Sequence, residues 1–290
     1  MAVAKALANR RRKQGMAGET KKRRGRPRAF RTMQQEGGSV QAIDRGLALL
    51  RVVAAADGLT LSDLAQRAGM PPSTAHRILT TLQARRFVFH DEERGLWQIG
   101  AGAFEVGSAF LRTRRLAGIG RAVMHELMER TGETVNLGIE DEGEVVFISQ
   151  IESHGALRAF FRAGSRAPMH ASGVGKALLA ELPEAKVRDI LHRRGLPKFT
   201  ERTLVSPAAL FEALRAIHRR GFAIDDEERN IGMRCVAAPV FNEFGEVIAG
   251  ISVSGPTVRV TPERAAEFGP LVRRAAEEIT ASIGGRASAA

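Results

Sequence analysis

The sequence predicts an α+β fold with a helical N-terminal unit and a larger C-terminal unit that contains an antiparallel-rich sheet. The chain has 290 residues, enough for two domains, and 44% of them are hydrophobic, as in a globular protein. Residues 39–100 contain three helical apolar patterns followed by a short alternating run. Residues 117–284 contain two groups of strand patterns separated by helices, which is typical of an α+β domain.

Residues 1–38 form a basic arm that we predict to be disordered. They hold twelve Lys and Arg residues against two acids, so the arm carries +10 of the chain's net charge of +12. Such an arm is attracted to polyanions. Arg24 and Arg26 flank a glycine, and narrow, extended arginines of this kind suit an A·T-rich minor groove. The alternative is a solvated tail that aids solubility. At the other end, residues 285–290 are predicted to be a flexible tail.

The segment SVQAIDRGLALLRVVAAA is predicted to be the first helix of a winged helix-turn-helix domain spanning residues 39–100. Its apolar residues follow steps of three and four, which predicts one buried stripe of Val40, Ile43, Leu47, Leu50 and Val53. Ser39 is placed to cap this helix.

The segment TLSDLAQRAGM is predicted to be a second, short helix. Thr60 and Asp63 have capping-box spacing, and Gly69 is placed to end the helix. Leu64 and Ala68 are expected to face inward.

The segment PPSTAHRILTTLQARR is predicted to be the helix that enters the major groove of DNA. Pro72 suits a first helical turn. The apolar stripe consists of Ala75, Ile78, Leu79 and Leu82. The opposite side carries small or polar residues, an arrangement typical of a recognition helix. The next segment, FVFHDEERGLWQIG, alternates around a turn and predicts the wing hairpin.

These patterns predict binding to double-stranded DNA, although each helix alone fits an ordinary helical bundle. Arg77 can bind a guanine through two hydrogen bonds, and its small neighbours can reach bases or phosphates. The candidate DNA-binding residues are Arg24, Arg26, Arg45, Ser73, Thr74, His76, Arg77, Thr81 and Arg94. Residues 101–116 are predicted to be a linker helix, and its apolar Phe104, Val106 and Phe110 suggest pairing with a second copy.

The C-terminal unit, residues 117–284, begins with an alternating hairpin, TVNLGIEDEGEVVFISQIES. Helices are predicted at 173–182, 184–194 and 207–220, followed by the strand patterns FAIDDEE, RCVAAPVF and VIAGISVSG. An amphipathic helix beginning near Thr261 closes the unit.

The segment HASGVGKALLA, residues 170–180, resembles a phosphate-binding loop but departs from that motif. His170 stands where the motif needs its first Gly, and Ala177 replaces the hydroxyl residue that binds magnesium. Ser172 can cap a helix that begins near Gly173, and the free amides of such a helix start attract a small anion. The alternative is an ordinary capped helix with glycines for close packing.

Little in the sequence indicates a disulfide framework, enzymatic catalysis or a metal site. The single cysteine, Cys235, excludes a disulfide framework and lies in an apolar strand, where a buried, inert thiol is the usual state. The seven histidines show no metal-ligand spacing, and no GxSxG motif indicates a hydrolase. A solvated strand end is favoured over a metal cluster for the acidic run 225–228. No apolar run is long enough to cross a bilayer and no signal peptide is present, so we expect a cytoplasmic protein without a cofactor or metal.

Six blocks in a fixed order resemble the IclR family of bacterial transcription regulators. The blocks are MPPSTAHRILTTLQ, TGETVNLGI, PMHASGVGKALLA, LHRRGLPKFTERTLVSP, GFAIDDEERNIGMRCVAAPVF and GISVSGP. The resemblance covers residues 40–284. It is strongest to the branch of acetate-operon and allantoin-pathway repressors, which sense glyoxylate or related 2-oxo acids.

The resemblance implies a winged helix-turn-helix domain, a linker helix and a GAF-like effector domain with six strands. It also implies a homodimer that pairs into a homotetramer on DNA, and a small carboxylate effector. The implied effector-binding residues are Gly173, Val174, Asp225, Met233, Cys235, Ser252 and Ser254. This chain has Ala156, Ala159 and Ala167 where the branch has bulky pocket walls, which predicts a larger pocket unless Phe160 or Phe161 refills it.

The leading hypothesis is a ligand-responsive repressor of a catabolic operon. A close alternative is an activator that responds to an aromatic or sugar acid, because the family contains both. An enzyme with an attached DNA-binding head is disfavoured by the lack of a nucleophile–base pair. An architectural DNA-binding protein accounts for the arm but leaves the C-terminal unit without a role.

Overall fold

The computed structural model describes residues 40–113, 116–155 and 161–286. The predictions for the basic arm, including Arg24 and Arg26, and those for Ala156, Ala159 and Phe160 lie outside the described residues. No helix in the described ranges is both long enough and apolar enough to cross a membrane.

The N-terminal unit contains three helices and a two-stranded hairpin. These are α1 (Gln41–Ala54), α2 (Leu61–Arg67), α3 (Pro72–Ala84), β1 (Val88–Asp91) and β2 (Leu96–Ile99). The two strands pair in antiparallel register, as the wing prediction requires. One apolar core joins all five elements.

The turn between α2 and α3 follows the predicted capping chemistry. The Asp63 amide donates to Thr60 Oγ1 at 3.2 Å, and the Thr60 hydroxyl donates to the Asp63 carboxylate at 2.7 Å. Gly69 has a φ of +61°, a left-handed conformation that ends α2 at little cost for glycine. Pro72 occupies the first turn of α3, where its missing N–H is not needed.

The predicted buried stripe of α1 is wrong over its first half. Val40, Ile43 and Leu47 are 60%, 59% and 55% exposed, whereas Leu49 and Val53 are fully buried. Val40 takes the N-cap position without a side-chain cap, and the predicted cap, Ser39, lies outside the described residues. The helix is apolar on two sides, so periodicity alone could not identify the side that packs on α2 and α3.

Two helices connect the units. α4 (Ala101–Thr113) lies within the predicted linker, and α5 (Leu116–Thr131) follows it. Phe104 and Val106 on α4 are 73% and 62% exposed, which leaves an apolar surface on the single chain.

The C-terminal unit is built on a six-stranded antiparallel sheet with the order β5-β4-β3-β8-β7-β6. Its strands are β3 (Thr134–Asp141), β4 (Glu144–Ile151), β5 (Arg166–Pro168), β6 (Ala223–Asp226), β7 (Met233–Phe241) and β8 (Val247–Pro256). The residue patterns missed β5, because three residues are too few to show alternation.

Helices cover both faces of this sheet. α5 and α9 (Pro262–Ser282) pack on one face. The opposite face is covered by α6 (Gly173–Leu179), α7 (Glu184–Arg194) and α8 (Pro207–Arg220), close to the predicted helices. Alternate residues of β7 pack into the apolar cores on the two faces of the sheet. Val236 faces α5 and α9, and Ala237 faces α6. After α9, the backbone amides of Gly285 and Arg286 donate to Thr280 and Asn242.

Candidate functional site

Three neighbouring strands place polar residues in one row on the face that α6 covers. Asp225 on β6 lies opposite Cys235 on β7, and Cys235 lies opposite Ser254 on β8. Because side chains alternate along a strand, Met233 and Ser252 share this face with them. The row therefore brings together residues that are separated by up to 29 positions in the chain.

The start of α6 lies directly over this row. Ser172 caps the helix, with the Gly175 amide donating to its hydroxyl oxygen at 3.1 Å. A Cβ atom on Gly173 would lie 2.7 Å from Cys235 Sγ, so only glycine allows this close approach. Among the described residues, neither the Gly173 nor the Val174 amide donates a hydrogen bond, as expected in the first turn of a helix.

These elements enclose a cavity of about 30 Å³, room for roughly two water molecules. All seven predicted effector-binding residues line it, as does Ala167. Their role as ligand contacts stays a prediction. The structure places all seven residues in the lining of the same cavity.

The cavity is lined by Phe161 as well as by the small Ala167. Phe161 lines the cavity and packs on Phe147 with ring centroids 4.8 Å apart. Both rings line the same cavity as Ala167. Refilling of the pocket by Phe161, one of the two options left open by the sequence, stays a prediction.

The two serine hydroxyl groups of β8 in the cavity differ in their hydrogen bonding. Ser254 accepts from the Asn136 amide at 3.5 Å, and Asn136 in turn accepts from Gln150 at 3.0 Å. Ser252 Oγ is buried and forms no well-aligned hydrogen bond among the described residues, although it lies close enough to the Cys235 thiol to affect the pKa of that group. A buried hydroxyl without a well-aligned partner is costly, which favours a ligand oxygen at this position.

The run 225–228 is not the solvated strand end that the sequence suggested. Lys176 is buried, forms an ion pair with Glu228 and donates to the Ile224 carbonyl at 2.7 Å. Asp226 accepts from Arg234 Nε at 2.7 Å, and Glu227 lies 3.7 Å from Arg202. The run is acidic because it meets cations that are distant in sequence, which no local pattern reveals. No group of three or more His, Cys, Asp or Glu residues in the described ranges is placed to hold a metal ion.

Asp225 differs from the other three acids. Its carboxylate accepts from the Glu228 amide at 2.8 Å, and no basic side chain of the described residues lies within 4 Å of it. Burial raises the pKa of Asp225 to about 7, an effect that the positive charge of Lys176 partly offsets. Burial also raises the pKa of the Cys235 thiol to about 11, so it stays protonated at neutral pH.

Arg229 lines the cavity and was missed by the sequence patterns. It also lines a neighbouring cavity of about 310 Å³ that contains Arg166 and Arg194. Its guanidinium donates to the Arg166 carbonyl at 3.2 Å. It lies in the irregular segment between β6 and β7, where periodicity gives no indication of its direction.

The predicted DNA-binding residues lie mainly on the open surface of the N-terminal unit. Ser73, His76, Arg77 and Thr81 of α3 are exposed, and Thr74 is half-buried. The apolar side of α3 is buried at Ala75 and Leu79, as predicted. The exposed Arg45 lies on α1, and Arg94 lies at the wing turn with its amide donating to Asp91 at 3.1 Å.

The Arg77 side chain forms no ion pair or hydrogen bond within the described residues, so its five donors are available. The Thr81 hydroxyl donates to the Arg77 carbonyl at 2.8 Å and can only accept from a further group.

Comparison with known proteins identifies two domains. The IclR helix-turn-helix domain matches residues 42–92, and the domain described as bacterial transcriptional regulator IclR C-terminal matches residues 108–281. The HTH-type transcriptional regulator BhcR of Paracoccus denitrificans is 46% identical over 270 residues, 92% of this chain and 97% of that protein. The transcriptional repressor IclR of Escherichia coli is 46% identical over 266 residues, 91% of this chain and 97% of that protein.

The fold also matches solved structures. The crystal structure of an IclR homologue from Microbacterium hydrocarbonoxydans complexed with 4-hydroxybenzoate has a TM-score of 0.72 and 27% identity. The match covers 84% of this chain and 99% of that chain. The predicted α+β fold and the helix-turn-helix domain are confirmed.

Proposed function

Because the chain belongs to the IclR family of bacterial transcriptional regulators, we propose that it represses a catabolic operon and that a small carboxylate modulates its operator binding. It is a DNA-binding regulator of the repressor type and not an enzyme, as its relatives are. Our proposal concerns the identity and chemical class of the effector and the oligomeric assembly of the protein.

The observation that carries the effector proposal is the composition of the cavity. Two amides without partners at the start of α6 form an anion site, because the first turn of a helix has free N–H groups and a positive dipole end. The Ser252 hydroxyl supplies a further group for a second ligand oxygen. A carboxylate with a neighbouring oxo group, as in glyoxylate or pyruvate, matches these groups.

The volume favours a small acid. A cavity of about 30 Å³ bounded by Phe147 and Phe161 has no room for an aromatic ring without movement of these side chains. An activator responding to an aromatic acid is the second candidate, since the related protein of known structure binds 4-hydroxybenzoate. For that candidate, Phe161 would have to leave Phe147.

We further propose a homodimer that pairs into a homotetramer on DNA. The exposed apolar residues of α1 and α4 support an interface between copies, because large exposed apolar patches usually mark binding surfaces. The basic arm of residues 1–38 adds contacts to the phosphate backbone or minor groove. Sedimentation of the chain with and without operator DNA measures the assembly directly.

Selection of genomic fragments by the purified full chain tests the proposed function. We expect specific fragments upstream of a catabolic operon, released by glyoxylate or pyruvate and retained with 4-hydroxybenzoate. Release by 4-hydroxybenzoate alone would support the aromatic-acid candidate. Fragments that respond to none of the three acids would refute both effector classes.

A further inference from the structure

The effector cavity poses an electrostatic conflict. The proposed ligand is an anion, yet Asp225 contributes a second carboxylate to the same cavity. Two carboxylates that share one enclosed site cannot both stay ionised without a large cost, so one of them is protonated or a cation neutralises the pair.

Two of the nearby cations are already paired with other acids. The buried Lys176 on α6 pairs with Glu228 and bonds to the Ile224 carbonyl. Arg234 on β7 pairs with Asp226 on β6, beside Asp225 in the chain. Within the described residues, Asp225 is the one member of the run 225–228 that has no basic partner within 4 Å.

Two other titratable groups face Asp225. Arg229, from the segment after β6, acts on it through its charge, but its hydrogen bond goes to the Arg166 carbonyl at 3.2 Å. Cys235 on β7 lies opposite Asp225 in register and carries a neutral thiol. Neither group forms an ion pair with the Asp225 carboxylate in the described residues, so a bound anion meets an acid that has no direct ion-pair partner.

Resting on the proposed function, we infer that Asp225 meets the effector as a neutral carboxylic acid and donates a hydrogen bond to the oxo oxygen. Binding of the anion to a chain whose Asp225 is ionised therefore takes up one proton from solvent onto Asp225. One carboxylate oxygen of Asp225 accepts from the Glu228 amide at 2.8 Å, which leaves the other oxygen to carry the proton. Asp225 is then a specificity-determining residue: it selects a ligand with an acceptor oxygen next to its carboxylate. Burial raises the pKa of Asp225 to about 7, so the neutral form costs little free energy near neutral pH.

The number of protons taken up follows from that value. In the ligand-free protein, Asp225 is about nine-tenths ionised at pH 8, so ligand binding takes up nearly one proton per chain. At pH 6 Asp225 is only about one-tenth ionised, so ligand binding takes up about one-tenth of a proton per chain. Affinity for the anion therefore falls by roughly tenfold for each pH unit well above 7.

Calorimetry of the full chain tests this inference, with pyruvate and glyoxylate as probes. Titrations at pH 6 and 8 in two buffers of different ionisation enthalpy give the proton uptake. We expect uptake near one at pH 8 and near zero at pH 6. Asp225→Asn keeps the donor and removes the titration, so its uptake should be near zero at both values. The control Glu227→Gln, outside the cavity lining, should retain wild-type uptake.

Tight binding to the wild-type chain at pH 8 with uptake below about 0.2 overturns the inference alone, and loss of that binding in Arg229→Gln would assign the neutralising charge to Arg229. Absence of binding by both acids at both pH values overturns the inference together with the proposed effector class. Because the wild-type chain itself gives the primary result, poor folding of Asp225→Asn does not remove the test.

Discussion

Helix α3 and the cavity beneath α6 hold polar side chains in opposite surroundings. On α3, Ser73, His76 and Arg77 are exposed, whereas in the cavity Ser252 and Ser254 are 1% and 2% exposed. Water satisfies the first set in the unbound protein at no structural cost. The second set must be satisfied by neighbouring residues or by a ligand, because unpartnered buried polar groups are costly.

This difference predicts where substitutions act. A change on α3 should alter DNA affinity with little change in stability. A change around the cavity should alter stability, effector affinity or both, according to whether the side chain already has a partner in the unbound protein.

The largest expected effect comes from the buried ion pair beside the cavity. Lys176→Met leaves Glu228 unpaired in a buried position and should lower the free energy of unfolding by about 3–5 kcal/mol. The control Lys186→Met removes an exposed pair with Glu140, 3.3 Å apart, and should cost at most about 1 kcal/mol. Urea unfolding followed by circular dichroism measures both variants. If both variants lose the same free energy of unfolding, the buried ion pair contributes no more to stability than the exposed one.

A smaller effect, confined to DNA, is expected on α3. Arg77→Ala should weaken operator binding by about 1–3 kcal/mol, leave weak salt-sensitive binding in place and not change the unfolding midpoint. Fluorescence anisotropy with operator and scrambled duplexes separates specific from non-specific binding. Arg219→Ala, an exposed arginine on α8, is the matched control. If Arg77→Ala retains the wild-type preference for operator, Arg77 does not read bases.

The smallest effects are expected at two serines that line the same cavity, where substitution by alanine should change different properties. Ser252→Ala removes a hydroxyl without a well-aligned partner, so stability should be unchanged or slightly higher, while effector affinity falls by about 1 kcal/mol. Ser172→Ala removes a helix cap that bonds to Pro168 and Gly175, so stability should fall by about 1 kcal/mol. Thermal unfolding and pyruvate titration measure the pair. Destabilisation by Ser252→Ala would mean that its hydroxyl is structural.

The sequence predicted most of the N-terminal unit because its signals are local. The Thr60–Asp63 cap, Gly69 and Pro72 each act within one helical turn, and the structure confirms them. Prediction failed on α1, where Leu47 and Leu49 are both apolar and only packing selects the buried side.

Prediction of the cavity depended on family resemblance rather than on local pattern. The row of Asp225, Cys235 and Ser254 exists only through the register of three strands, which no single segment specifies. The pairing of Lys176 with Glu228, 52 positions apart, is also invisible locally. The lysine that resembled part of a phosphate-binding loop instead neutralises an internal acid.

The central claim is that occupancy of the cavity changes DNA binding, and an operator titration tests it most directly. The full chain is bound to a selected operator duplex, and the operator dissociation constant is measured with increasing pyruvate or glyoxylate, for the wild type and for Ser252→Ala. The account predicts a shift in operator affinity that saturates with the acid and requires a higher acid concentration in the variant. An unchanged operator dissociation constant at acid concentrations that fill the cavity would contradict it.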